Sequence, residues 1–216
     1  MKRSLLFSAG LVLLIILTGF KYSVKPFEGE IAYDISYLEL PEGSEGFEDM
    51  LAKELLMTIG TDKIMVKQEI MGGAQVMVVD NTEKTAEMMM DVMGMKVHIH
   101  LTKEELEAEK GQLEEPIIKE FKEYKKILGY KCKRAEIKTS SQTVELWYTD
   151  KIEARHTDYK DLNGFPLEYI TTQDGMILKM TASKVENRKV DHSEFDVPAG
   201  FTTYTLEEFN KTMGGN

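Results

Sequence analysis

The chain has 216 residues, 42% of them hydrophobic, enough for one sizeable core at the usual ~100–200 residues per domain. A formal charge of −10 (pI about 5.0) repels phosphate backbones and argues against a nucleic-acid partner. The acidic residues form no tail, so the charge reads as a solvated surface.

Residues 1–23 read as a secretory signal. Lys2 and Arg3 precede an apolar run from Leu5 to Leu17, which is short for a membrane span of ~20 residues. No clean small-residue cleavage site follows, so an uncleaved N-terminal anchor is the alternative; either way the protein is expected in the periplasm or envelope. No Cys follows the run, which excludes the usual lipoprotein modification. Residues 24–216 show no linker, repeat or low-complexity tract and read as a single domain. The lone Cys132 cannot close an internal disulfide and is expected as a buried apolar strand residue.

Taken in order, residues 27–40 alternate as a half-buried strand, with Ile31, Tyr33, Ile35 and Tyr37 on one face. The spacing of Phe47, Met50, Leu51 and Leu55 predicts a helix over 45–58. Two strands follow around a turn at Gly72 and Gly73, with Val66 opposite Val79, Gln68 opposite Met77, and Val76 and Val78 on the other face. Residues 86–101 read as one strand bent at Gly94. Its Met89, Met93, Met95, Val97, Ile99 and Leu101 share a face, and His98 and His100 lie on the opposite one. Thr102 and Glu105 make a capping box for a charged helix ending near Gly111.

Residues 116–128 read as a strand leading into a hairpin, 130–138 and 143–149, that holds the only Trp and the only Cys. There Val144, Leu146 and Tyr148 face one way and Trp147 the other, and a β-bulge near Lys133 and Arg134 would reconcile the two phases of the first strand. After a charged segment, Asp174 and Gly175 form the strongest short hairpin signal, placing Tyr169 opposite Met180 and Thr171 opposite Leu178. Leu206–Met213 fits a short terminal helix. The expected class is therefore α+β: one strongly curved antiparallel sheet, a half-barrel, with two or three helices packed on its concave side.

The motifs GYKC (129–132), LWYTD (146–150), GFPLE (164–168) and FDVPAGF (195–201) resemble a group of exported bacterial envelope domains of unknown function, and their order is similar to lipoprotein-localisation factors of the LolA and LolB type. That resemblance implies a curved sheet enclosing an apolar cavity for acyl chains, and carries over no individual binding residue.

Nucleophile elbows, phosphate loops, paired-Cys motifs and HExxH are all absent from the sequence, so no catalytic residue, cofactor or metal is assigned and the chain is not expected to be an enzyme. The favoured reading is a non-enzymatic, monomeric envelope protein that binds a lipid or acylated ligand. Its expected lining is Tyr33, Ile35, Met89, Met93, Met95, Tyr169 and Met180. One alternative is a structural or protein-interaction module of the envelope, with an unidentified partner and a filled core. The other is a copper-binding protein using Met88, Met90, His98 and His100.

Overall fold

The structure is a computed structural model that describes residues 26–41, 51–70, 72–110, 116–139, 142–153, 162, 164–173 and 175–213. The N-terminal signal, most of the first half of the expected 45–58 helix and most of the charged segment before Gly164 lie outside these residues.

Twelve strands form one open sheet. They are β1 (Gly29–Glu39), β2 (Glu54–Ile59), β3 (Lys63–Ile70), β4 (Gly73–Asp80), β5 (Thr85–Val92), β6 (Met95–Leu101), β7 (Ile117–Ile127), β8 (Tyr130–Lys138), β9 (Thr143–Thr149), β10 (Phe165–Gln173), β11 (Met176–Asn187) and β12 (Thr202–Tyr204). The helices are α1 (Lys103–Lys110) and α2 (Leu206–Met213). Strand order is β12-β6-β5-β4-β3-β2-β1-β11-β10-β9-β8-β7, so two antiparallel meanders meet where β1 pairs with β11. After β11 the chain crosses back through a short 3₁₀ turn, His192–Phe195, and adds β12 parallel to β6.

This corrects the α+β half-barrel. The described residues are predominantly β, and the two eight-residue helices among them sit at one end, where α1 meets β5 and α2 meets β6 and β12. A helix of this length carries too few apolar residues to cover a broad sheet: α1 contributes buried Leu106, and α2 contributes partly buried Leu206 and Phe209. Residues 54–58 of the expected 45–58 helix are strand. Leu55, Met57 and Ile59 alternate toward the core and pair with Gln68, Val66 and Ile64, so the ladder on both flanks overrides a local spacing of three and four.

Face assignments follow from the registers. Ile31, Tyr33, Leu55, Met57, Met77, Met90, Val97, Leu146, Tyr169 and Met180 point to one face, called inner here. The main core lies on it, between β1–β3 and β8–β11, joined by Phe27, Ile152 and Leu162. A second cluster, built on β4–β6 with both helices, continues it toward the β12 edge. The outer face of β3–β5 is covered by the crossover instead, where Val190 and Phe195 pack on Val78 and Met89, with Val76, Val197 and Phe201 around them. Phe195 leaves no room at Gly60, where a Cβ would lie 2.9 Å from its ring. Arg188 pins the crossover through a double contact with Glu194, which also closes a capping box with Asp191.

Candidate functional site

Tyr33 is the centre of the inner face. It stands opposite Ala182, whose small side chain lets the phenol pass over β11 toward β10. There its hydroxyl donates to the Pro166 carbonyl at 2.8 Å, and its ring meets Tyr169 edge to face at 5.8 Å. Burial, with Tyr169 beside it, holds the Tyr33 phenol well above its ordinary pKa, so it stays a neutral donor. Met180 lies opposite both Tyr169 and Ile35. Four of the seven expected lining residues (Tyr33, Ile35, Tyr169 and Met180) are thus brought together, packed against one another.

The other three are elsewhere. Residues 86–101 are two strands, because Met93 and Gly94 form the turn between β5 and β6 with φ of 52° and 84°. That turn reverses the phase of the second strand. Met89 faces outward under the crossover, while Met93 and Met95 stand at the hairpin tip, 79% and 55% exposed. The same reversal divides the copper reading: Met88 and Met90 pair with Ile99 and Val97 on the inner face, and His98 and His100 pair with Met89 and Glu87 on the outer.

Glu87 is the residue that sequence reasoning missed. Its carboxylate takes His98 Nε2 at 2.6 Å and His100 Nδ1 at 2.8 Å, while His98 Nδ1 lies 3.0 Å from the Thr203 hydroxyl. This links β5, β6 and β12. Reading Met93 and Gly94 as a hairpin would have placed Glu87 opposite His100. Among the described residues no group of three His, Cys, Asp or Glu side chains is arranged to hold a metal ion.

One row across the inner face departs from its apolar character. Tyr33, Leu55, Gln68, Gln75, Met90 and Val97 are successive cross-strand partners from β1 to β6. The two amides therefore sit between the main core and the helix-bearing cluster. Gln68 Nε2 donates to Gln75 Oε1 at 3.1 Å, and Gln75 is 2% exposed.

A family model described as the N-glycanase peptide, N-terminal domain (PNGase F-II type) matches residues 33–204. The chain belongs to this family. No curated protein matches it. Two crystal forms of PNGF-II, P21 and C2, superimpose with TM-scores of 0.52 and 0.50; each is 17% identical and covers 86% of this chain. At that identity the likeness shows the fold alone. The chain spans 33% and 32% of those PNGF-II chains, so it corresponds to about a third of their length. LprF from Mycobacterium bovis covers 75% of this chain and 89% of its own at 10% identity and a TM-score of 0.31, too low to bear on the fold. The family match does not support the resemblance to lipoprotein-localisation factors.

The stretch matched to the PNGase F-II N-terminal domain runs from Tyr33 to Tyr204 and so contains the amide row, the Glu87 cluster and all seven expected lining residues. Within it, the outer face of β7–β10 is densely polar. Arg134 contacts Glu123, Glu136 and Glu145 and lies 4.4 Å from the Phe121 ring, while Lys125 lies 4.4 Å over Trp147 and 2.7 Å from Glu168. The irregularity expected at Lys133 and Arg134 falls in the partner strand, between Glu120 and Tyr124 of β7. Cys132 is fully buried in the main core, and burial raises its thiol pKa, so little of it is thiolate.

Proposed function

We propose that the chain is a non-enzymatic, exported module that binds an apolar ligand against the inner face of β2–β6. The observation that carries this reading is the cross-strand row from Tyr33 to Val97, a run of mostly buried apolar side chains with two adjacent amides at its middle. Apolar walls with a few placed polar groups are the usual composition of small-molecule sites. The packed half around Tyr33 and Tyr169 acts as the rigid wall, which moves the binding region away from the residues first expected to line it. Export rests on the basic residues and apolar run before residue 23.

Family membership supports a supporting role beside a glycan-processing unit, since the matching family is the N-terminal domain of N-glycanases and this chain spans a third of PNGF-II. The absence of any familiar catalytic motif in the sequence agrees with a non-catalytic part. The test is native mass spectrometry of the purified protein, followed by titration with a fluorescent fatty acid. A bound apolar molecule or saturable uptake supports the reading. A clean apo mass with no uptake overturns it in favour of an interaction module with a filled core.

A further inference from the structure

The β7–β9 region is basic in an acidic protein. From Ile117 to Thr149 eight Lys and Arg stand against four Glu, in a chain whose net charge is −10. All four carboxylates are taken within the sheet: Glu120 by Lys133, and Glu123, Glu136 and Glu145 by Arg134. Lys125 is held by Glu168 at 2.7 Å. Lys122, Lys126 and Lys131 are exposed and form no ion pair among the described residues. The surplus positive charge is therefore carried by lysines that face water.

Two of these lysines meet at the tip of the β7–β8 hairpin. Lys126 and Lys131 are direct cross-strand partners and share one face, and like charges placed opposite each other weaken a ladder. Lys131 also lies 4.0 Å from the centre of the Tyr124 ring, which is 53% exposed. Between the two lysines the turn presents Leu128, 47% exposed and left-handed at φ 50°, a conformation that disfavours any residue with a Cβ. An apolar tip, an aromatic ring and a pair of lysines together make an interfacial membrane contact. Leu enters the acyl boundary, Tyr sits at headgroup level and Lys reaches the phosphates. The β5–β6 tip also exposes methionines, but its Lys96 is paired with Asp91 at 3.6 Å.

The place of the hairpin in the sheet points to the same occupant. In the antiparallel order, the β7–β8 turn lies at the end of the sheet where β1 begins and β11 ends. Phe27 N, just before β1, donates to the Glu153 carbonyl at 2.8 Å, four residues past the end of β9. Pro26 lies nine residues beyond Leu17, the last residue of the apolar run, at most about 30 Å of chain. A run held in a membrane would thus keep this end of the sheet within reach of the bilayer. Asp150, at the neighbouring end of β9, is paired with Lys151.

We propose that the tip of the β7–β8 hairpin docks on an anionic phospholipid surface, with Lys126 and Lys131 on lipid phosphates and Leu128 in the headgroup–acyl boundary. The contact is separate from the ligand surface on β2–β6 and fixes how the sheet stands on the bilayer.

The experiment places one probe at the tip. Leu128→Cys in the full chain is labelled with nitrobenzoxadiazole; Cys132 is fully buried with its thiol pKa raised, so it escapes the label. The chain is reconstituted in vesicles of phosphatidylcholine alone or of equimolar phosphatidylcholine and phosphatidylglycerol, and quenching by a headgroup-level nitroxide lipid is measured. Quenching is expected in the anionic vesicles and should weaken as salt rises. Lys126→Gln combined with Lys131→Gln should lower the docking equilibrium about thirtyfold, the attraction lost with two lysines near such a surface. Lys122→Gln, away from the tip, should leave it nearly unchanged, and circular dichroism checks that each variant is folded. Equal quenching in both kinds of vesicle means that the N-terminal run alone brings the tip to the membrane, and overturns the proposal. An unquenched probe in anionic vesicles also overturns it and leaves the lysines to an acidic protein. Quenching that survives loss of both lysines overturns it as well.

Discussion

The Tyr33 hydroxyl donates to the Pro166 carbonyl at 2.8 Å, reaching from β1 across β11 to β10. The bond is possible because Ala182 stands opposite Tyr33, and it ties the two meanders together at their junction. Replacing Tyr33 with Phe keeps the ring against Tyr169 and leaves the Pro166 carbonyl without its donor. A loss of about 1–3 kcal/mol in urea-unfolding free energy is expected. An unchanged midpoint would show that the junction does not depend on this bond.

Gly73 and Gly94 separate two reasons for a glycine. A Cβ at Gly73 would lie 1.6 Å from the Asp91 carbonyl oxygen, a backbone atom held in the β4–β5 ladder. Gly73→Ala should abolish pairing of the two strands, read as loss of folded protein by circular dichroism. At Gly94 nothing lies within 4 Å, yet φ is +84°, so Gly94→Ala should cost only the backbone penalty of about 1–2 kcal/mol. If both variants fold equally well, the close approach at Gly73 is not real.

Met93 occupies a left-handed turn position at φ 52° with its side chain 79% exposed. Asn tolerates that conformation better, so Met93→Asn is expected to raise stability by up to about 1 kcal/mol. The same exposure should make Met93 and Met95 oxidise in dilute peroxide ahead of buried Met57, Met77, Met89 and Met180. Peptide mapping after brief treatment checks the order, and early sulfoxide at a buried site would contradict it.

Acid should weaken the β7 edge. Glu120 accepts from Lys133 and from the Tyr148 hydroxyl, and these hydrogen bonds hold its carboxyl below the ordinary 4.5. The sign follows: a group with a lowered folded pKa stabilises the fold above its unfolded value, and that contribution disappears as pH falls below about 4.5 through the folded value. Glu194, held low by Arg188 and the Asp191 N–H, adds in the same direction at the crossover. Thermal midpoints should therefore fall between pH 5 and 3, and Glu120→Gln should fall less steeply than wild type. Identical slopes would remove Glu120 from the account.

Much of the strand layout was legible because alternation and turn chemistry are local. The Asp174 and Gly175 hairpin gave Tyr169 opposite Met180 and Thr171 opposite Leu178, and the capping box of Thr102 and Glu105 heads α1. Even where the register slipped, the faces survived: Val66 pairs with Met77 rather than Val79, a shift of two residues, and Val76 and Val78 still face outward. The Met93 and Gly94 turn was missed because Met at a positive φ gives no turn signal. One unseen reversal then moved Met93 and Met95 to the surface and Met89 to the outer face. The Glu87 cluster and the amide row were missed for a related reason, since both join residues from strands whose pairing was not yet fixed.

The sequence by itself determined which residues extend, where most hairpins turn, that Cys132 is a buried apolar residue and that no familiar catalytic motif is present. These depend on the two-residue period of a strand and on the identity of one or two turn residues. Only the tertiary structure decided that residues 54–59 are a strand, that the helices sit at one end, and that Gln68 and Gln75 meet inside an apolar face. A strand's partners come from distant parts of the chain, as Tyr33 and Pro166 do, and burial is a property of the assembled sheet.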